Sequence, residues 1–163
     1  MAPQRTRSPL STPLTLRKTH TMDPVSHLLR LAKVTATLDR RCLLGAATRM
    51  DAVVRAVLEG PGNNWSITRL ARLAAMSRAT FLRHFTRETG MSVGVFLARA
   101  RVMAAADILS STGDTVATVA GLVGYGSESA FSRVFRSEVG MSPAEFRRDQ
   151  VRRERNLRGI RTK

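Results

Sequence analysis

Arg83 and Arg133 stand fifty positions apart in a chain of 163 residues, each flanked at two residues' distance by a phenylalanine on either side. A guanidinium is a planar fork of donors that pairs bidentately with a carboxylate, a phosphate or the O6 and N7 of guanine. Ala79, Thr80 and Leu82 lie close to the first arginine, and Glu128, Ser129 and Ser132 close to the second. A carboxylate accepts from cytosine N4, a hydroxyl serves most base edges, and small apolar groups meet thymine methyls. These eight residues therefore form two sets able to read bases in a major groove. Plainer readings stand beside this one: Leu82 as an ordinary exposed apolar residue, and Arg133 as half of an ion pair with Glu138 or as a phosphate contact.

Such side chains read a groove only if a helix presents them on one face. Phe131 and Phe135 fall at i and i+4, on one side of a helix, with Ser129, Ser132, Arg133 and Arg136 on the other. Gly124-Tyr125-Gly126 before them is a turn, Ser127 sits where an N-cap belongs, and Gly140 ends the helix. Ser142, Pro143 and Glu145 then open another helix with a cap, a first-turn proline and the glutamate of a capping box. The pattern occurs twice. At an offset of fifty, Ser77, Phe81, Arg83, Phe85, Glu88, Gly90, Met91, Ser92 and Phe96 overlie Ser127, Phe131, Arg133, Phe135, Glu138, Gly140, Met141, Ser142 and Phe146. Before the turn the offset is forty-nine, with Ala71 over Ala120, Leu73 over Leu122 and Ala75 over Gly124, so the second turn holds one extra residue. One supersecondary unit is used twice.

On these residues, the segment from about Ala46 to Arg148 resembles the DNA-binding domain of the AraC/XylS family of bacterial transcription regulators. The second half carries the family pattern in Val119-Ala120, Gly124-Tyr125, Ser127, Ser129, Phe131, Arg133, Phe135, Gly140, Pro143 and Phe146-Arg147; the first half carries it in Trp65, Leu70-Ala71, Met76-Ser77, Arg83, Phe85 and Gly90. It departs at Val93, where the family often has proline, which predicts a weaker helix start there. The resemblance implies a sequence-specific regulator of transcription, an activator rather than a repressor. Its partner would be double-stranded DNA, with RNA polymerase as a further partner. Two alternatives stay open: a helical protein-interaction module, and a regulator without its sensor that no longer responds to an effector.

The expected fold is all-α, with about seven helices and two helix-turn-helix units joined by a long central helix. Helices are expected at Arg49 to Glu59, Ile67 to Ala74, Ser77 to about Thr89, about 93–111, Val116 to Val123, through the Phe131 segment, and from Pro143 to about 156. The central helix carries Phe96, Leu97, Ala100, Ala104, Ile108 and Leu109 at helical spacing, so it can be covered from two sides. Trp65 reads as a core anchor. Phosphate contacts are expected from the helix starts at Ser66 and Thr115 and from Arg69, Arg72, Arg78, Arg87 and Arg136; such contacts position a protein without specifying sequence.

Before Ala46 the chain reads differently. Residues 1–21 carry three prolines among Ser, Thr, Arg and Lys, with no acidic residue, and read as a disordered arm. Asp23-Pro24 starts a short helix, and Val34 to Leu44 is ambiguous between strand and helix. Met22 to Gly45 also resembles the opening of family members that carry a cupin-type sensor barrel, which implies a regulator lacking that barrel; an unrelated linker arm is the equal alternative. Residues 158–163 form a basic tail.

The net charge of +15 attracts polyanions whatever the fold. One cysteine, Cys42, allows no internal disulfide, and no run approaches the ~18 apolar residues of a membrane span, so a cytoplasmic monomer, or weak dimer on DNA, is expected. Gly121, Gly124 and Gly126 have the wrong order for a dinucleotide loop and follow no strand. His20, His27 and His84 are dispersed, with no Cys/His cluster for a metal and no base beside a candidate nucleophile. Neither cofactor, metal nor catalysis is expected.

Overall fold

The computed structural model describes residues 48–160. The expectations for the arm, the Asp23-Pro24 helix, the ambiguous Val34 to Leu44 stretch and residues 161–163 lie outside the described residues. Among the described residues there are seven helices and no strand: α1 (Arg49–Glu59), α2 (Ile67–Leu73), α3 (Arg78–Thr89), α4 (Val93–Ser111), α5 (Val116–Leu122), α6 (Glu128–Val139) and α7 (Pro143–Ile160).

Local chemistry sets most of these boundaries. Thr48, Ser66, Ser77, Ser92, Thr115 and Ser127 each accept the backbone N–H three residues on, satisfying one donor that the first turn leaves unpaired. At α7 the expected capping box forms: Glu145 accepts the Ser142 N–H at 2.8 Å while Ser142 Oγ accepts the Glu145 N–H at 3.3 Å. A second box, Thr48 with Asp51, accounts for a carboxylate only 5% exposed. Gly90 and Gly140 close α3 and α6 at φ +70° and +85°, where a side chain would be strained.

α4 starts at Val93, where Ser92 caps it and the Val93 side chain is buried in the core. One boundary differs from expectation. α7 continues to Ile160, past the expected end near 156; no proline follows Pro143 in it, and Gly159 falls within its last turn.

The repeat builds two cores. Phe81, Phe85 and Phe96 are fully buried with Val53, Val57 and Leu70, and their rings meet edge-on or tilted at 5.4–5.5 Å. In the second unit Tyr125, Phe131, Phe135 and Phe146 form a longer ring series with centroids 5.5–5.6 Å apart, packed with Val119, Val123 and Leu109. Offset and edge-to-face rings at this spacing are favourable beyond their burial. α4 packs against α1 and α3 on one side and against α5, α6 and α7 on the other. Its front half gives Phe96 and Ala100 to the first core, and its rear half gives Val102, Ala105 and Leu109 to the second.

Candidate nucleic-acid interface

Each unit contains a helix-turn-helix. In the first, Met76 N–H donates to Ala71 O at 3.0 Å and Ala75 N–H to Arg72 O at 3.0 Å; in the second, Tyr125 donates to Ala120 at 2.9 Å and Gly124 to Gly121 at 3.0 Å. The turns differ by one residue, as the offset change predicts: four residues separate α2 from α3, and five separate α5 from α6. α3 and α6 are each twelve residues long and begin at equivalent positions.

Burial of Phe81 and Phe85 fixes the rotation of α3, leaving Arg78, Ala79, Leu82, Arg83, Thr86 and Arg87 exposed. Burial of Phe131, Phe135 and Val139 does the same for α6, leaving Glu128, Ser129, Arg133 and Arg136 exposed with Ser132 half-buried. Thr80 sits in the cap, where its hydroxyl accepts from Ser77 at 2.9 Å and its N–H donates to Ser77 Oγ at 3.2 Å. The hydroxyls of Ser66 and Thr115 are likewise occupied as caps for Arg69 N–H and Thr118 N–H. No lysine occurs from 48 to 160, so arginine supplies all the permanent positive charge there.

The suggested Arg133–Glu138 ion pair does not form among the described residues. Residues five apart on a helix lie on different faces, and Glu138 instead meets Arg99 of α4 at 3.0 Å, with both side chains largely shielded. Arg83 and Arg133 have neither an ion pair nor a side-chain hydrogen bond among the described residues. Arg87 lies 3.3 Å from His84 Nδ1 and 4.0 Å from Glu88 yet stays mostly exposed. Arg69 is engaged locally: its guanidinium lies over the Trp65 ring at 4.5 Å and donates to Asn64 O. Trp65 itself is half-buried, its indole N–H donating to Gly60 O at 2.8 Å.

Three other arginines brace these elements, a role that sequence reasoning missed. Arg99 holds α6. Arg147 donates from α7 to Leu109 O at 3.3 Å and to Asp114 O, closing the loop before α5. Arg101 donates to Pro61 O at 3.1 Å and Asn63 O at 3.4 Å and lies 5.5 Å from the Tyr125 ring centroid. Burial pushes the Tyr125 phenol above its ordinary value, with Arg101 opposing and Glu138 adding to the rise. No local pattern marks these partners, which lie 33 to 40 residues away along the chain. Among the described residues, no helix is long and apolar enough to cross a membrane, and no three His, Cys, Asp or Glu side chains are placed to hold a metal ion.

Two helix-turn-helix units braced on one central helix define the class as a double helix-turn-helix domain. A helix-turn-helix domain family matches residues 70–149. An AraC-like transcription regulator of Streptomyces lividans is 39% identical over 88 residues, 54% of this chain and 29% of the relative. RclR of Escherichia coli, an HTH-type transcriptional activator specific for RCS, is 38% identical over 99 residues, 61% of this chain and 35% of RclR. Among solved structures, the DNA-binding domain of the global transcriptional factor AdpA, in complex with a target DNA, superposes with a TM-score of 0.63 at 34% identity, covering 66% of this chain and 96% of that domain. The chain belongs to the AraC-type helix-turn-helix family. It spans about a third of the length of the curated relatives it matches.

Proposed function

We propose that this chain binds double-stranded DNA sequence-specifically through α3 and α6, and that it regulates transcription as an activator. The observation that carries this reading is the repeated exposure of an arginine, Arg83 and Arg133, with no ion pair or side-chain hydrogen bond among the described residues, at equivalent positions opposite a buried phenylalanine pair. Ala79, Leu82, Glu128, Ser129 and Ser132 complete the base-reading faces. Thr80 contributes by holding the first turn of α3. Arg72, Arg78, Arg87 and Arg136 meet phosphates, and Arg69 does so only by leaving its place over Trp65. The AdpA domain, of similar fold, is in complex with DNA. Two such helices on one monomer suit successive major-groove segments about 34 Å apart. Activation follows the E. coli relative, which is named an activator, and makes RNA polymerase the second partner. The protein acts in the cytoplasm as a monomer or as a weak dimer on DNA.

The test is selection of bound duplexes from a random-sequence library, followed by a salt titration on the enriched sequence. A bipartite consensus and an affinity that falls steeply with salt are expected. No enrichment, with salt-insensitive binding to proteins instead, would favour the interaction-module reading. Transcription from a promoter carrying the consensus, with and without the protein, settles the sign of regulation.

A further inference from the structure

The two repeats share nine of the twenty positions from Ser77 to Phe96 and build the same helices, so a difference in their backbone geometry marks a place where the units do something besides repeat. The sharpest lies in the turn. Ala75 holds the left-handed conformation at φ +52°, and its counterpart Gly124 holds it at φ +85°. A side chain is tolerated at the first site, which is exposed, although the conformation is costly there. At the second a β-carbon would fall 2.8 Å from Gly62 O and 3.1 Å from a terminal guanidinium nitrogen of Arg101. The reverse holds too: a β-carbon on Gly62 would overlap the carbonyl of Leu122. The loop after α1, in the first unit, is thus pressed backbone to backbone against the turn of the second. Arg101 lies across the seam, its guanidinium donating to Pro61 O and Asn63 O of the first unit and approaching the half-buried Tyr125 ring of the second.

We propose that this junction of Gly62, Gly124, Tyr125 and Arg101 sets the spacing between the two base-reading helices, and with it the half-site spacing the protein accepts. α4 joins the units along one axis by packing into both cores; the seam is a second attachment away from that axis, and two attachments hold an orientation more tightly than one. Arg101 is a positioning residue: it sits on α4 behind the turn, outside the exposed faces of α3 and α6. The inference rests on the double helix-turn-helix reading of DNA for its consequence, but not for its geometry.

The geometry is tested first without DNA. Nitroxides at Arg87→Cys and Ser137→Cys, equivalent sites on α3 and α6, in a Cys42→Ser background, report the distance distribution between the helices by pulsed electron resonance. One narrow distribution is expected, broadened by Arg101→Ala and by Gly124→Val with the far-ultraviolet spectrum unchanged. Arg101→Lys keeps the charge without the fork and should broaden it as well. Equal widths in all proteins overturn the proposal. The consequence is tested on the enriched bipartite duplex, on one half-site alone, and on duplexes with one or two base pairs inserted between the halves. Rigid linkage raises the effective concentration of the second contact. Arg101→Ala should therefore lose about tenfold on the native spacing, lose little on the half-site, and discriminate less against the insertions. Loss of the same size on the half-site, or unchanged discrimination, overturns it. If the wild type enriches no sequence, the DNA reading fails while the label distances still decide the junction.

Discussion

Phe131→Ala should split the unfolding of this domain into two transitions. The ring is fully buried, with Tyr125 and Phe135 each 5.5 Å away. Truncating such a residue costs about 3–5 kcal/mol, a large part of the ~5–15 kcal/mol that holds a whole small domain together. The loss falls on the second core alone, because Phe81, Phe85 and Phe96 belong to a separate cluster. With a urea slope of about 2 kcal/mol/M, the second unit's midpoint should drop by about 1.5–2.5 M. The chain has a single tryptophan, and Trp65 packs against the first core. Its fluorescence follows that unit, while far-ultraviolet circular dichroism follows all seven helices. In Phe131→Ala the dichroism should begin to fall well before the Trp65 signal changes. In Phe81→Ala the order should invert, with Trp65 first. Coincident midpoints in both variants would refute the reasoning and show that α4 and the seam bind the two cores into one cooperative unit.

Arg83→Ala should weaken binding to the enriched duplex by about 1–3 kcal/mol and relax preference at one base pair, whereas Arg87→Ala should weaken all sequences alike and reduce the salt slope; competition assays with specific and random duplexes distinguish the two, and equal losses on both DNAs would remove Arg83 from the base readers. Ser127→Ala should cost about 1 kcal/mol in thermal melts, since it leaves the Ala130 N–H without its cap. Ala75→Gly should be neutral or stabilising by up to about 1 kcal/mol, because relief of the left-handed conformation outweighs or matches the added freedom of the unfolded chain. Ser142 holds the Glu145 carboxyl below its ordinary value, through its hydroxyl first and its backbone N–H second. That contribution is present above the unfolded glutamate value of about 4.3 and is lost as pH falls through the lower folded value. The stability gap between wild type and Glu145→Gln should therefore narrow on acidification, and a gap that widens would contradict the cap.

What the sequence disclosed and what it withheld divide along chain distance. Helix starts at Ser66, Ser77, Thr115 and Ser127 are decided by a hydroxyl and an N–H three residues apart, so they were legible, whereas the Ser92 cap emerges only in the structure. The rotation of α3 and α6 follows from two phenylalanines at i and i+4, and it placed Arg83 and Arg133 outward. The double use of α4 was legible because apolar residues ran around too much of its circumference for one core. Thr80 was harder to place, since one hydroxyl serves equally as a base reader and as part of a cap, and only the Ser77 contact distinguishes them. Arg99 and Arg101 were not legible at all, and Arg147 only as part of the Phe146-Arg147 pattern, without its partners. Each is engaged by a partner 33 to 40 residues away.

That last group changes how the positive charge should be apportioned. An arginine whose guanidinium is already bonded to backbone carbonyls or a shielded carboxylate can reach a phosphate only by breaking those bonds, and the shielded acceptors left behind carry the cost of lost hydrogen bonds. Arg99, Arg101 and Arg147 are all less exposed than Arg72, Arg78, Arg83, Arg133 and Arg136. Arg99, Arg101 and Arg147 thus separate by partner and exposure from the arginines proposed to meet DNA, a division invisible to net charge. It predicts a ranking in the salt dependence of DNA binding: alanine at Arg72, Arg78 or Arg136 should each reduce the slope of log K against log salt by about one phosphate's worth. Alanine at Arg99 or Arg147 should leave the slope intact and lower the melting temperature instead. A slope that fell equally for both groups would mean that the bracing arginines leave their carbonyls on binding, and that the domain rearranges on DNA.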